Sequence, residues 1–395
     1  MPLISTSGSL SSRGFGEFRR AAPAGQTYWI SPVFNGFRYV LKGNNLSTLI
    51  SGIPSLTGMT PTTPSSPNIA NSRFGVLWAS GTTAWADSRA LSTNNGTSWT
   101  DITGIFADSY SGSTYPTIGL NGAFAYRPTG NIIAYFSTYY DSKSNRIEAP
   151  AFLANASTGS TPAGSISGLN LPGSSPPRQQ ILYSPALDRF YVFLANSITT
   201  VRAASYTPAG LISGIIFSND LFLFAAGLSA SGNILLFNGS SSTRELREYT
   251  DVGLGTYTSY GNVTGLASIG SQRYSRMFHL PVNGRYAVVQ EGSSSSNVSF
   301  NYSSVGTPAS FTRVAIIPTV LSGYSFVSVM ASTVFEDTDG WIYVTMMARV
   351  TNSKNQTEFW SLAYKSTDGG ASFTAVQGSP YNGSYAPLVI AKNLQ

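Results

Sequence analysis

Val334-Phe335-Glu336-Asp337-Thr338-Asp339-Gly340-Trp341-Ile342-Tyr343-Val344 is an apolar run, a polar turn and a second apolar run rich in aromatics. Asp339-Gly340 is a hairpin dipeptide. Its preference for positive φ matches the twist of two flanking antiparallel strands. The same frame recurs along the chain. Tyr28-Trp29-Ile30 precedes a turn at Gly36 and Phe37-Arg38-Tyr39-Val40. Phe74 to Trp78 precedes Gly81 and Ala84-Trp85, and Ala123 to Tyr126 precedes Gly130 and Ile132 to Phe136. Ile181 to Tyr183 precedes Asp188 and Phe190 to Leu194. Leu221 to Phe224 precedes Gly232 and Ile234 to Phe237, and Met277 to Leu280 precedes Gly284 and Tyr286 to Val289.

The seven turns lie 44 to 58 residues apart. That spacing suits four-stranded propeller blades, is too long for a β-helix rung and is too even for a sandwich. Each hairpin is followed by another strand and a Gly-containing turn. The expectation is therefore an all-β fold, a seven-bladed β-propeller over residues 25–395, with six or eight blades as the alternatives. A single such sheet leaves both faces wet, whereas packing seven around an axis buries face against face. Ala386-Pro387-Leu388-Val389-Ile390 reads as a strand that pairs near the chain start and removes an exposed edge.

Composition agrees. Of 395 residues, 10% are charged and 13% aromatic, with 39 glycines and 21 prolines. Such a chain suits short strands and tight turns and fits helices poorly, and no convincing helix is expected. With no cysteine and one histidine, disulfides, thiolate sites and multi-histidine metal sites are excluded. No cofactor is expected. A net charge of +6 over this length gives no basic stripe for nucleic acid. No signal peptide and no membrane span is visible. His279 sits in an apolar strand run and reads as packing. Glu336, Asp337 and Asp339 cluster at one hairpin, where acids most often cap backbone.

Two octets carry a resemblance. Ser366-Thr367-Asp368-Gly369-Gly370-Ala371-Ser372-Phe373 resembles the Asp-box of sialidase-like propellers, Ser-x-Asp-x-Gly-x-Ser/Thr-Trp/Phe. Ser92-Thr93-Asn94-Asn95-Gly96-Thr97-Ser98-Trp99 has the same frame with Asn94 for Asp. Tyr249 to Tyr257 and Ser303 to Phe311 are weaker relatives. The resemblance implies a structural turn at Ser92, Asn94, Gly96 and Trp99, and again at Ser366, Asp368, Gly370 and Phe373. The carboxylate or amide caps backbone N–H groups, Gly takes the left-handed position and the aromatic packs below. It also implies the chemistry of a sialidase, namely three arginines, a Tyr–Glu pair and an acid/base Asp. The first arginine of that family usually sits in Arg-Ile-Pro. Here only Arg127-Pro128 approaches it, so no catalytic residues are assigned.

Residues 1–24 form a separate N-terminal extended arm, polar and glycine-broken. Phe15 and Phe18 are its apolar anchors, flanked by Arg13, Arg19 and Arg20. An arm that orders on a partner is a docking device. Its Arg13-Gly14-Phe15-Gly16-Glu17-Phe18 segment resembles the opening of many phage tail and fibre proteins. The resemblance implies a non-enzymatic bacteriophage virion protein, assembled in the host cytoplasm. The arm would join other virion proteins and the propeller would bind a host-surface glycan. The alternatives are a sialidase-like glycan hydrolase, a capsid decoration protein and a cellular interaction propeller.

Overall fold

The computed structural model describes residues 27–34, 37–56, 59, 77–86, 90–101, 123–136, 139–141, 146–159, 166–172, 178–195, 200–207, 210–218, 225–239, 244–266, 273–274, 277–377, 379–382 and 388–392. The arm at 1–24, with Arg13, Phe15, Phe18, Arg19 and Arg20, lies outside them. So does the turn at Asn35-Gly36.

The described chain is nearly all β, arranged as small antiparallel sheets. Seven sheets of three or more strands follow one another among the described residues. The first joins Val389–Lys392, Tyr28–Ser31 and Leu41–Gly43. The second runs from Leu77–Ser80 through Thr83–Ala86 and Ala90–Ser92 to Thr100–Asp101. The third, fourth and fifth begin at Ala123–Arg127, Arg178–Ser184 and Ala226–Leu228. The sixth is built on Phe278–Leu280 and Arg285–Glu291. The seventh begins with the long pair Tyr324–Glu336 and Ile342–Asn352.

Six of the seven expected turns close the first hairpin of a sheet. Gly81, Gly130, Asp188, Gly232, Gly284 and Gly340 all have positive φ. The first unit differs from its expectation. Tyr28–Ser31 pairs with Leu41–Gly43 instead of residues 37–40, and Val33–Phe34 with Phe37–Arg38 forms a separate two-stranded ribbon. The other edge of Tyr28–Ser31 takes the C-terminal strand, with Ile30 opposite Ile390. The sheets are also not uniformly four-stranded, since one has three strands and three have five.

A short helix, Leu46–Ser51, and a 3-10 turn, Ile53–Leu56, correct the expectation of no helix. Asn45 caps the helix by accepting the Thr48 N–H at 3.0 Å. Leu46, Ile50, Ile53 and Leu56 all bury in one cluster with Tyr28 and Tyr343, so tertiary packing stabilises a segment too short to hold helix alone.

The core is divided among the gaps between successive sheets. Trp29 packs on Ala79, Ala84 and Ala86 between the first and second. Trp85, Ile133 and Ala154 fill the next gap, where the Trp85 Nε1–H donates to the Ala156 carbonyl at 2.6 Å. Leu182, Tyr191 and Phe193 meet Leu236 and Tyr249 between the fourth and fifth. Leu235, Phe237 and Leu246 meet Met277 and Val288 between the fifth and sixth. Phe300, Val344 and Leu362 join the sixth to the seventh. Each large side chain so buried contributes roughly 1.5–3 kcal/mol. Leading strands touch in order, from Ala123–Arg127 to Tyr324–Glu336. That last strand reaches Val389–Lys392 of the first sheet, which in turn touches Leu77–Ser80.

Polar bonds tie hairpin turns to neighbouring sheets. Arg127 grips Asp188 through Nε and Nη2 at 2.6 and 2.7 Å. The Ser184 hydroxyl donates to the Gly232 carbonyl at 2.6 Å, and the Ala230 N–H donates to the Tyr286 hydroxyl at 3.1 Å. Glu336 accepts the backbone N–H groups of Val282 and Asn283 at 2.8 and 3.0 Å. The Tyr28 and Thr338 hydroxyls meet at 3.0 Å, seventh sheet to first.

Asp337 sits in that last turn, buried, accepting the N–H groups of Asp339 and Trp341 at 3.0 and 2.9 Å. Burial pushes its carboxyl up to about 6, and the charge of Asp339 adds to this. The two backbone donors and Lys365 pull the other way. The folded state thus holds this proton more tightly than the unfolded chain. The group's stabilising effect is full below about pH 4 and is lost as pH rises through 6. Asp337→Asn should therefore gain roughly 1–3 kcal/mol relative to wild type between pH 4 and pH 7. Urea titrations of both proteins across that range provide the check.

Candidate functional site

The two octets fold alike. Ser366 Oγ donates to Asp368 Oδ1 at 2.7 Å and accepts the Gly370 N–H at 2.9 Å, while Asp368 Oδ1 accepts the Ser372 N–H at 3.0 Å. Ser92 Oγ donates to Asn94 Oδ1 at 3.0 Å and accepts the Gly96 N–H at 2.9 Å, while Asn94 Oδ1 accepts the Ser98 N–H at 3.0 Å. Burial raises the Asp368 carboxyl, but the Ser372 and Ser366 donors outweigh it and hold the group below its ordinary range.

Each turn also seats on the preceding sheet. Phe373 meets Phe300 edge-on at 4.9 Å, and Trp99 lies against the cluster of Trp29. A Cβ on Gly370 would come within 2.6 Å of the Phe300 ring, and one on Gly96 within 2.7 Å of Trp29. A cation on the preceding sheet closes each contact. Lys42 donates to the Asn95 carbonyl, and Arg285 donates to that of Gly369. These turns join sheets, and their polar groups are spent on backbone.

The open chemistry lies on the fourth strand of the fifth sheet. All six residues of Tyr257–Asn262 are exposed. The loop before it is built by Asp251, whose carboxylate accepts the Thr256 N–H at 2.6 Å. Leu254, at φ +52°, turns its side chain into the core of the fourth and fifth sheets. The strand then pairs Tyr257 with Tyr249, Thr258 with Glu248 and Ser259 with Arg247 before the register shifts.

On the side shared with Tyr249, the Arg247 guanidinium stacks 4.1 Å over the Tyr257 ring. Its Nε donates to Glu245 Oε2 at 2.6 Å and its Nη2 lies 2.5 Å from the same oxygen. The Ser259 hydroxyl donates to the other Glu245 oxygen. The Ser259 bond first, then Arg247, holds the Glu245 carboxyl below its ordinary value against the effect of burial.

On the opposite side, toward the sixth sheet, Glu248 is buried. It accepts Ser231 Oγ at 2.6 Å, Asn233 Nδ2 at 2.9 Å and the Tyr260 hydroxyl. Burial opposes its charge, but these donors, with Ser229, bring it down to about 2. Burial and the adjacent carboxylate push the Tyr260 hydroxyl up. Tyr286 stands next to this group, with the His279 ring 5.2 Å away. Burial lowers His279 below its ordinary value, with Glu336 opposing.

Glu248 and Tyr260 thus match a Tyr–Glu nucleophile pair in composition and oppose it in electrostatics. The carboxylate is saturated with donors and the phenol is a weaker acid than usual. Arg127 is committed to Asp188, and Glu336 and Asp337 to backbone. Among the described residues, no group of three or more His, Cys, Asp or Glu is placed to hold a metal ion, and no helix is long and apolar enough to cross a membrane.

Sequence reading reached this strand only at Tyr257, the end of the weaker octet-like run Tyr249 to Tyr257, and did not single out its side chains as a site. One signal for it was present, because Arg244-Glu245-Leu246-Arg247-Glu248 is a dense charge run in a chain that is 10% charged.

No family model matches the chain, and no curated protein matches it. Among solved structures it is similar to SapL1 lectin in complex with alpha methyl fucoside, at 10% identity over 78% of this chain and 97% of the lectin, TM-score 0.41. It is similar to the periplasmic gluconolactonase of Pseudomonas aeruginosa at 10% identity over 93% and 99%, TM-score 0.40. It is also similar to a xylan beta-1,4-xylosidase from Bacillus halodurans at 9% identity, covering 68% of this chain and 57% of that one, TM-score 0.40. This chain thus spans little more than half the xylosidase. Likeness at this level carries neither a fold nor an activity over.

Gly370→Ala combines a left-handed backbone with the Phe300 clash and should cost roughly 2–4 kcal/mol. Gly81→Ala, at φ +56° with nothing within 4 Å of its Cβ, should cost about 1 kcal/mol. Thermal melts of the two variants side by side test whether the octet is a packed joint.

Proposed function

We propose that this chain is a non-enzymatic glycan-binding protein. In this reading it is a seven-bladed propeller, carried on a bacteriophage virion by residues 1–24, that recognises a host-surface carbohydrate at Tyr257–Asn262. The blade count is supported by the order of sheet contacts, which runs from the third sheet to the seventh and back through Val389–Lys392 to the first and second, with Trp85 packing the second on the third.

The observation that carries the binding reading is the exposed Tyr257 ring beside Arg247, Glu245 and Ser259. An aromatic face covers the apolar side of a sugar ring, and adjoining donors and acceptors engage its hydroxyls. The spent acids described above support the non-enzymatic part. Support for the virion part is the arm's resemblance to phage tail and fibre openings.

Tyr257→Ala should weaken binding to a cognate glycan at least about tenfold while the melt stays within a few degrees of wild type, as for loss of a single stacking ring. A glycan array followed by calorimetry on the best oligosaccharide measures this. Release of reducing sugar from that glycan by the wild-type protein would instead establish a hydrolase. Deleting residues 1–24 should leave the glycan affinity unchanged and abolish incorporation into particles. Normal incorporation of the truncated chain, scored by protein content of purified virions, would remove the arm from the proposal.

A further inference from the structure

We infer that Glu245 is a selectivity residue that restricts this edge to neutral, hydroxyl-rich sugars and turns acidic ones away. This deepens the glycan-binding reading and rests on it. Arg247 is the guanidinium that stacks on the exposed Tyr257 ring, so it is the cation an acidic sugar would meet. Its Nε and Nη2 are both turned onto Glu245 Oε2, which occupies the side-on donor fork, one of the two edges by which the guanidinium would otherwise grip a ligand carboxylate in two parallel bonds. The pair is held in place because Ser259, on the exposed strand itself, donates to the second Glu245 oxygen. Arg247 and Glu245 are each about a quarter exposed, which leaves both within reach of a ligand lying on Tyr257.

Glu248, on the other side of the same pair of strands, adds a second negative charge that its own donors keep ionised. Arg244 and Arg247 balance Glu245 and Glu248 on this strand, so the edge offers an acidic sugar no net positive charge, and its carboxylate would meet that of Glu245 at close range. What remains for recognition is a ring face, hydroxyls and carboxylate oxygens, the partners of an uncharged pyranoside.

A peptide strand is the competing occupant of any open sheet edge. The register shift between Glu245 and Arg247, and Gly261 at φ +83°, bend this strand and break the ladder a peptide would need.

The experiment compares the full-length chain with Glu245→Gln and with Glu245→Gln/Arg247→Met. Each is titrated with a neutral oligosaccharide from the array and with the same oligosaccharide carrying a terminal sialic or uronic acid. Wild type should favour the neutral form by at least about tenfold. Glu245→Gln keeps an oxygen for Ser259 and frees the fork, so it should narrow or reverse that preference. The double variant should lose the gain. Circular dichroism and melts confirm that the variants fold. Wild-type preference for the acidic form, or an unchanged ratio in a folded Glu245→Gln, overturns the selectivity inference and leaves glycan binding standing. Absence of binding to either form by wild type removes the glycan reading itself. Capture of an extended peptide along this strand in place of sugar overturns both.

Discussion

Everything in this molecule depends on burying both faces of small sheets against other small sheets. A strand sends alternate side chains to opposite faces, and here both sets are apolar in the inner strands. In the fifth sheet, Leu236 and Tyr249 pack on the fourth, while Leu235, Phe237 and Leu246 pack on the sixth. The inner strands of this sheet have no wet face to spare, so it requires neighbours on both sides. The same requirement explains why the first sheet is made from both ends of the chain. Without Val389–Lys392, the strand Tyr28–Ser31 would present an open edge to water.

Face-to-face burial is non-directional and leaves the angle between sheets loosely set. Polar contacts between hairpin turns supply the direction. Arg127 on Asp188, Glu336 on the Val282–Asn283 backbone and the Asp368 turn on Phe300 each fix one sheet to the next. Glu336, which receives several N–H donors, is better suited to such a joint than a lone exposed ion pair.

The repeat was readable because its cause is local. Gly81, Gly130, Asp188, Gly232, Gly284 and Gly340 occupy backbone conformations that few other residues tolerate, so the sequence must show them. The first unit was read only in part. The distant partner was legible in the apolar run Leu388-Val389-Ile390, which pairs with Tyr28–Ser31 as expected, but Gly36 suggested a hairpin for Tyr28–Ser31 that forms only as the ribbon Val33–Phe34 and Phe37–Arg38. The Leu46–Ser51 helix was hidden because it is held by burial of Leu46 and Ile50 under tertiary neighbours. The edge strand was hardest to see. Tyr257 to Asn262 lacks the apolar alternation that marks a strand, because neither of its faces is buried.

That lack of burial is informative about use. An exposed edge strand is a hazard for any β protein, and natural sheets blunt such edges with bulges or charges. Here the register shift at Glu245 and Arg247 and the left-handed Gly261 do so, and the same distortion leaves the guanidinium, the carboxylate and the Tyr257 ring open to solvent instead of in ladder register. A chain that needed only to hide this edge could have done so with lysine or proline. Two exposed tyrosines, each next to a carboxylate held ionised by hydroxyl donors, protect against strand addition no better than those residues would. The proposed glycan reading accounts for them as rings to stack on and groups that exchange hydroxyl hydrogen bonds.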